Sequence, residues 1–277
     1  MQSYLGWVFQ LVEHYPEKST VALSSSEVLD FLIHLKNDRK LAGSTLNQAV
    51  CALRTLYRDH LGLPWDIWDK IKITRDVEIP HVMTREDVSH LLGCFRKSRY
   101  QTYFTVVYQC GLRMSEALSI RPKDIDGERL VIRVKGKGGK WRQVPISERL
   151  LQRLRLFWKS HRNTRWLFPG VGRGWNSSGI SESEAQQRCE HSMTKASVWS
   201  AMRVARAESG LDKKHAKITN HTLRHSYATH MLEAGVHVRQ VADYLGHTTL
   251  KPTMIYLHLT EVSETQAREA LNTLADS

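Results

Sequence analysis

Residues 221–232, His-Thr-Leu-Arg-His-Ser-Tyr-Ala-Thr-His-Met-Leu, set the tightest condition on how this chain can fold. At a helical pitch of about 100° per residue, Leu223, Tyr227, Ala228, Met231 and Leu232 form one apolar arc. His221 and Arg224, three apart and therefore neighbours on a helix surface, fall on the same arc. An arginine on a core-facing stripe is costly unless an anion meets it. The fold must supply a carboxylate beneath Arg224, or a ligand must bring the negative charge. Taken alone, a buried ion pair is the commoner answer. The residues that follow change the balance. Leu245-Gly246-His247 ends a second helical run at a glycine and presents His247 at a turn, and Tyr256 follows.

Charge narrows the partner. The chain has 277 residues, with 40 Lys+Arg against 28 Asp+Glu, a net +12. Counted along the sequence, residues 1–76 hold 9 basic and 9 acidic side chains, while residues 77–277 hold 31 and 19. The whole excess lies in the second segment, which suits a polyanion, most simply nucleic acid. No apolar run has the length of a membrane span, and the first residues carry no basic stretch before an apolar one, as a signal peptide would. Cys51, Cys94, Cys110 and Cys189 are far apart and form no CxxC pair. They read as buried thiols in a reducing cytosol.

In chain order, Ser3–Tyr15 reads as an amphipathic helix with Leu5, Val8, Phe9 and Val12 on its buried face. Ser24-x-x-Glu27 is a capping box before Val28, Phe31, Leu32 and Leu35. Gly43 reads as a break and Ser44 as the cap of a third helix whose core face is Leu46, Val50, Leu53, Leu56 and Tyr57. The stretch 71–83 reads as a linker between an N-terminal bundle, 1–70, and a larger domain, 84–277. Thr84-x-x-Asp87 opens that domain, and a helix from Tyr100 is broken at Gly111. Arg113 and Glu116 then sit three apart on a short helix. Arg129–Lys135 alternates as a strand, Gly136-Lys-Gly-Gly139 reads as a hairpin turn with Lys137 at its tip, and Trp141–Ile146 returns. Trp166–Phe168 suggests a third strand, and Gly170–Gln187 an irregular loop. A helix spans Thr194–Ser209, and Val262–Leu274 reads as a short amphipathic tail helix. The expected fold is mainly α with a small antiparallel β-sheet: a helical bundle followed by an α+β catalytic domain.

GLR at 111–113, GKGGK at 136–140, HTLRH at 221–225, LGH at 245–247 and Tyr256 together resemble the signature of the tyrosine recombinases, the phage integrase family. YLGW and STLNQAVCALRTLYRDHL are similar to integron integrases in particular. The resemblance implies a SAM-like core-binding domain and a catalytic domain around double-stranded DNA. It implies strand cleavage and rejoining through a 3′-phosphotyrosyl link, with no metal and no cofactor. Carried over, Tyr256 is the nucleophile, Arg113 and Arg224 clamp the phosphate, and Glu116 supports Arg113. Lys137 protonates the leaving oxygen, His221 helps to deprotonate the tyrosine, and His247 donates to a phosphate oxygen. Ser44, Thr45, Asn47, Gln48, Lys140 and Arg142 are the expected DNA contacts. The working form is a homotetramer on two DNA sites in the cytoplasm, at the nucleoid, with the tail reaching a neighbouring subunit. Family members usually carry another helix before the one that starts here at Ser3, so the expectation is either a truncated N-terminus or a reduced clamp; Pro252 is a second departure and suits the first turn of the helix bearing Tyr256. A DNA-binding protein without catalysis and a type IB topoisomerase-like enzyme are the alternatives.

Overall fold

The computed structural model describes residues 2–71, 73, 80–172, 174–177, 179–215, 218–257 and 272. The chain forms two compact units that part between Glu78 and Ile79. The larger part of the expected linker, and all of the tail 262–274 except residue 272, lie outside the described residues.

The first unit holds α1 (Gln2–His14), α2 (Ser25–Asn37), α3 (Gly43–Arg54) and a short α4 (Ile67–Lys70). Its core is Leu11, Val28, Phe31, Leu35, Ala49, Leu53 and Tyr57. The α2 start is a true capping box: Ser24 Oγ accepts from the Glu27 amide, and the Glu27 carboxylate accepts from the Ser24 amide. Two expectations are corrected. Ser44 is not the cap of α3; Gly43 is its first residue, and the Ala42 carbonyl accepts the Thr45 and Leu46 amides. A glycine costs little in a first turn, where its amide needs no partner within the helix. The buried face of α1 is also different. Leu11, with Trp7 and Val8, packs inward, while Leu5 and Phe9 are 54% and 65% exposed. The helix is apolar around more than half its girth, and the larger indole at Trp7 settles which side is buried. Beyond Arg54 the helix runs on as one π-helical segment, Thr55–His60, which places Tyr57 in the core with its hydroxyl donating to the Thr20 carbonyl at 2.8 Å.

The second unit begins in what the sequence suggested was linker. Met83 is fully buried, and its amide donates to Ser226 Oγ. Then come α5 (Arg85–Gly93), capped by Thr84, α6 (Ser98–Cys110) and the five-residue α7 (Met114–Leu118). A three-stranded antiparallel sheet follows in the order β1 (Ile125–Asp126), β2 (Val131–Lys135), β3 (Trp141–Pro145). Ile132 pairs with Val144 and Lys135 with Trp141. The third strand is therefore 125–126, not 166–168, where the chain makes only a single bridge, Pro169 to Ser192. The Asp126 carboxylate accepts the amides of Glu128 and Arg129 in a tight turn, so Arg129 and Leu130 precede the strand.

The remaining elements are α8 (Glu148–His161), α9 (Glu182–Arg188), α10 (Lys195–Ser209), α11 (Asn220–Glu233), α12 (Val238–Leu245) and α13 (Lys251–Leu257). The stretch expected to be irregular contains the start of α9, capped by Ser181. The core runs along α6, with Tyr103, Phe104, Val106 and Val107 buried, and reaches Leu223 of α11. Packing against α6 carries α11 through the middle of the unit, which accounts for its apolar arc.

Candidate active site

Gly111 starts the site. It ends α6 with φ +59°, and a Cβ there would lie 2.3 Å from Tyr227 Cδ1. Only glycine meets both conditions. This turn puts Arg113 at the head of α7, where Glu116 caps it: the Glu116 Oε2 accepts the Arg113 amide at 2.9 Å.

Glu116, 4% exposed, is the hub. Arg113 Nη1 donates to its Oε1 at 2.8 Å; Arg142 Nη1 and Nη2 donate to its two oxygens at 3.1 and 2.8 Å. Burial would push the carboxyl up, but the hydrogen bonds from Arg142 and the Arg113 amide and the Arg142 charge outweigh it and hold the group at about 2. Arg224 Nη1 lies 3.8 Å from the same carboxylate. The chain thus supplies the anion that the arginine on the apolar arc requires.

Arg224 is 4% exposed at its side chain, and two backbone carbonyls hold it: Nη1 donates to Gly111 at 2.7 Å and Nη2 to Leu245 at 2.6 Å. Burial and the Arg113 charge pull its pKa down to about 10, so it stays a cation. Arg113, by contrast, keeps a third of its side chain exposed.

Three sequence-based expectations are revised here. Arg142, expected on DNA, is instead spent inside the protein. Its Nε donates to the Tyr244 carbonyl at 2.7 Å and its two Nη atoms to Glu116. The alternation of β3 explains this, because Arg142 lies on the same face as the buried Val144. Gly246, at φ +68°, closes over it; a Cβ there would lie 3.1–3.2 Å from the guanidinium and its stem. His247, expected to donate to a phosphate oxygen, has both ring nitrogens engaged within the protein. Arginine has no acceptor, so Arg224 Nη2 must donate to His247 Nε2 at 3.1 Å, which leaves the proton on Nδ1 for Thr253 Oγ1 at 2.7 Å. Burial and the Arg224 and Arg113 charges lower this histidine to about 4. His221 is exposed in the first turn of α11 rather than on its buried arc, with a pKa lowered by desolvation, Arg224 and Arg113.

Tyr256 on α13 is 3% exposed. Its hydroxyl meets His225 Nδ1 at 2.7 Å. Burial raises the phenol pKa, while the charges of Arg224 and Arg113 oppose that rise. The sequence reading missed His225 altogether. Its only signal was position, one residue past Arg224 and four past His221 on the same helix.

The structure therefore brings Arg113, Glu116, Arg224, His247 and Tyr256 together, with His221 at the rim. The Lys137 backbone lies in the turn between β2 and β3, where the Gly136 amide donates to the Lys140 carbonyl at 2.8 Å. The Lys137 side chain is outside the described residues. Lys140 is exposed. In the first unit Ser44 and Gln48 are exposed on α3, with Thr45 and Asn47 half-buried beside them. Among the described residues no cluster of His, Cys, Asp and Glu could hold a metal ion, and no helix is long and apolar enough to cross a membrane.

Comparison with known proteins settles the ancestry. Residues 81–262 match the phage integrase family, and residues 1–67 match the phage integrase N-terminal SAM-like domain. The chain belongs to the phage integrase family. It is a tyrosine recombinase, an enzyme that breaks and rejoins DNA strands in site-specific recombination. The protein y4qK of Sinorhizobium fredii is 34% identical over 93% of this chain and 78% of its own. The tyrosine recombinase XerA of Thermococcus kodakarensis is 31% identical over 89% of this chain and 82% of its own. Among solved structures, the XerH site-specific recombinase bound to difH before cleavage shares the fold of this recombinase. Its TM-score is 0.70 at 21% identity, over 98% of this chain and 78% of that one.

Proposed function

We propose that this recombinase cleaves duplex DNA with Tyr256 as the nucleophile. The phenol oxygen attacks the scissile phosphorus, the bond to the 5′ oxygen breaks, and a 3′-phosphotyrosyl link preserves the ester for rejoining. The observation that carries this reading is that Arg113 and Arg224, one partly open and one buried, both lie against Glu116 and the Leu245 carbonyl, while the residue beside Arg224, His225, meets the Tyr256 hydroxyl at 2.7 Å. Arg224, locked by two carbonyls and His247, is the fixed half of the clamp. Arg113, braced by Glu116, is the half that reaches toward the phosphate. Together they offset the charge that builds on the phosphoryl oxygens. Lys137, at the hairpin turn, protonates the leaving 5′ oxygen. His247 acts through Arg224, holding its plane. Lys140 and the α3 residues Ser44, Thr45, Asn47 and Gln48 are the proposed DNA contacts.

The assembled form is a homotetramer on two duplex sites, linked by the tail beyond α13. The test uses a nicked duplex selected from a randomised pool by covalent capture on the wild-type protein. Tyr256→Phe should abolish the adduct while leaving gel-shift affinity within a few fold of wild type. An undiminished adduct from that variant removes Tyr256 from the role.

A further inference from the structure

His225 closes the HTLRH motif with no role assigned to it, yet it is the one described side chain hydrogen-bonded to the Tyr256 hydroxyl. The contact joins the middle of α11 to α13, and the two rings lie 5.6 Å apart between centroids. The His221 ring lies a further step away, 6.3 Å from that of His225, and is exposed. We propose that His225, rather than His221, is the catalytic base that takes the phenol proton as Tyr256 attacks the phosphate. The proposal rests on Tyr256 being the nucleophile.

The chemistry is consistent in both directions. In cleavage, the bond between the phenol oxygen and phosphorus forms, the phenol proton moves to His225 Nδ1, and the 5′ oxygen leaves with a proton from Lys137. In rejoining, the 5′ hydroxyl oxygen forms its bond to phosphorus and gives its proton back to Lys137, the phosphotyrosyl bond breaks, and the departing phenolate takes a proton through His225 Nδ1. No oxidant, metal or further reactant enters.

The surroundings keep His225 ready. Desolvation, then the charges of His221 and Arg224, lower its pKa to about 4, so at neutral pH the ring is uncharged. A neutral ring with its proton on Nε2 offers Nδ1 as an acceptor to the hydroxyl. The titratable and charged groups that bear on it, among the described residues, are His221 and Arg224 on its own helix and Tyr256 from α13. A base with a pKa this low is weak in the ground state. It becomes effective as the phenol acidifies during attack, while Arg224 and Arg113 stabilise the developing phenolate. His247 is ruled out of the same task, because its Nε2 accepts from Arg224 and its Nδ1 donates to Thr253.

The experiment measures single-turnover adduct formation on the captured nicked duplex between about pH 6 and pH 9, where an untitrated base gives a flat profile. Wild type should be flat. His225→Ala should be slower by about 10²–10⁴-fold, the usual share of a positioned base, with a rate rising about tenfold per pH unit as the phenol ionises directly to solvent. Added imidazole should restore part of that loss. His225→Asn keeps a hydrogen-bond acceptor beside the phenol but no useful basicity, so it should bind DNA like wild type and cleave like the alanine variant. Gel shifts on both variants confirm that the fold is intact, and His225→Asn carries the test if the alanine variant does not fold. Asparagine cleavage within a few fold of wild type with a flat profile would overturn the proposal, since a hydrogen bond alone would then suffice. So would the pH slope appearing in His221→Ala instead. Adduct formation by Tyr256→Phe would sink the nucleophile assignment itself, a different failure with a different signature.

Discussion

Removing the charge from the hub tests how the site is held together. In Glu116→Gln the shape is kept, but four N–H groups that now meet a carboxylate would meet one amide oxygen and one amide nitrogen. The cost can be reached by two routes. The Glu116 carboxyl sits at about 2 against an ordinary 4.5, and at about 1.4 kcal/mol per pH unit that difference is worth about 3 kcal/mol. Breaking one partner of a buried ion pair independently costs about 3–5 kcal/mol. The folded pKa is depressed, so the stabilisation is complete above about 4.5 and fades as the pH falls toward 2. The gap between wild type and variant should therefore be near 3 kcal/mol at pH 7 and should close in acid. The chain has two compact units, so a single unfolding midpoint would mix them. Hydrogen exchange of the α11 amides, followed against urea, reads the second unit alone. A gap below about 0.5 kcal/mol at pH 7, within the range of ordinary surface changes, would refute the reasoning. So would a gap that persists undiminished at low pH.

Two further outcomes follow from the same geometry. Arg224→Lys keeps the positive charge but cannot reach Gly111, Leu245 and His247 at once, so cleavage should fall by about 10²-fold or more, read in the adduct assay with binding as the control. Gly111→Ala forces a side chain into a φ of +59° and against Tyr227; it should destabilise the second unit by several kcal/mol, on the order of an overpacked core with backbone strain, visible as faster exchange in α6 and α11.

The sequence was most legible where physics acts locally. The caps Ser24 and Thr84 are set by hydrogen bonds three residues long. The glycine turns at 111 and 246 both hold positive φ. The arc on α11 foretold a buried arginine, and Arg224 is buried. The less legible parts depend on distance along the chain. Arg142 closes contacts 26 residues back to Glu116 and 102 residues on to Tyr244, and nothing near it signals either. β1 is two residues long, too short for any periodicity. His225 sits in the same helical turn as Arg224, and only folding α13 against α11 shows that it faces Tyr256. The α1 face failed for another reason: too many apolar residues leave two plausible sides, and tertiary packing decides.

The Glu116 hub also sets what the site does to passing ions. Three guanidinium charges, from Arg113, Arg142 and Arg224, converge on a single carboxylate, a surplus of two positive charges in a poorly hydrated place. Such a surplus works against the folded state, and any small oxyanion of the right size relieves it. Stability and substrate affinity are therefore linked quantities: whatever the phosphate contributes to binding, the unliganded site was missing from its folding free energy. Sulfate should therefore slow hydrogen exchange of the α11 amides more than chloride does at equal ionic strength, and equal slowing would show that the surplus attracts no oxyanion.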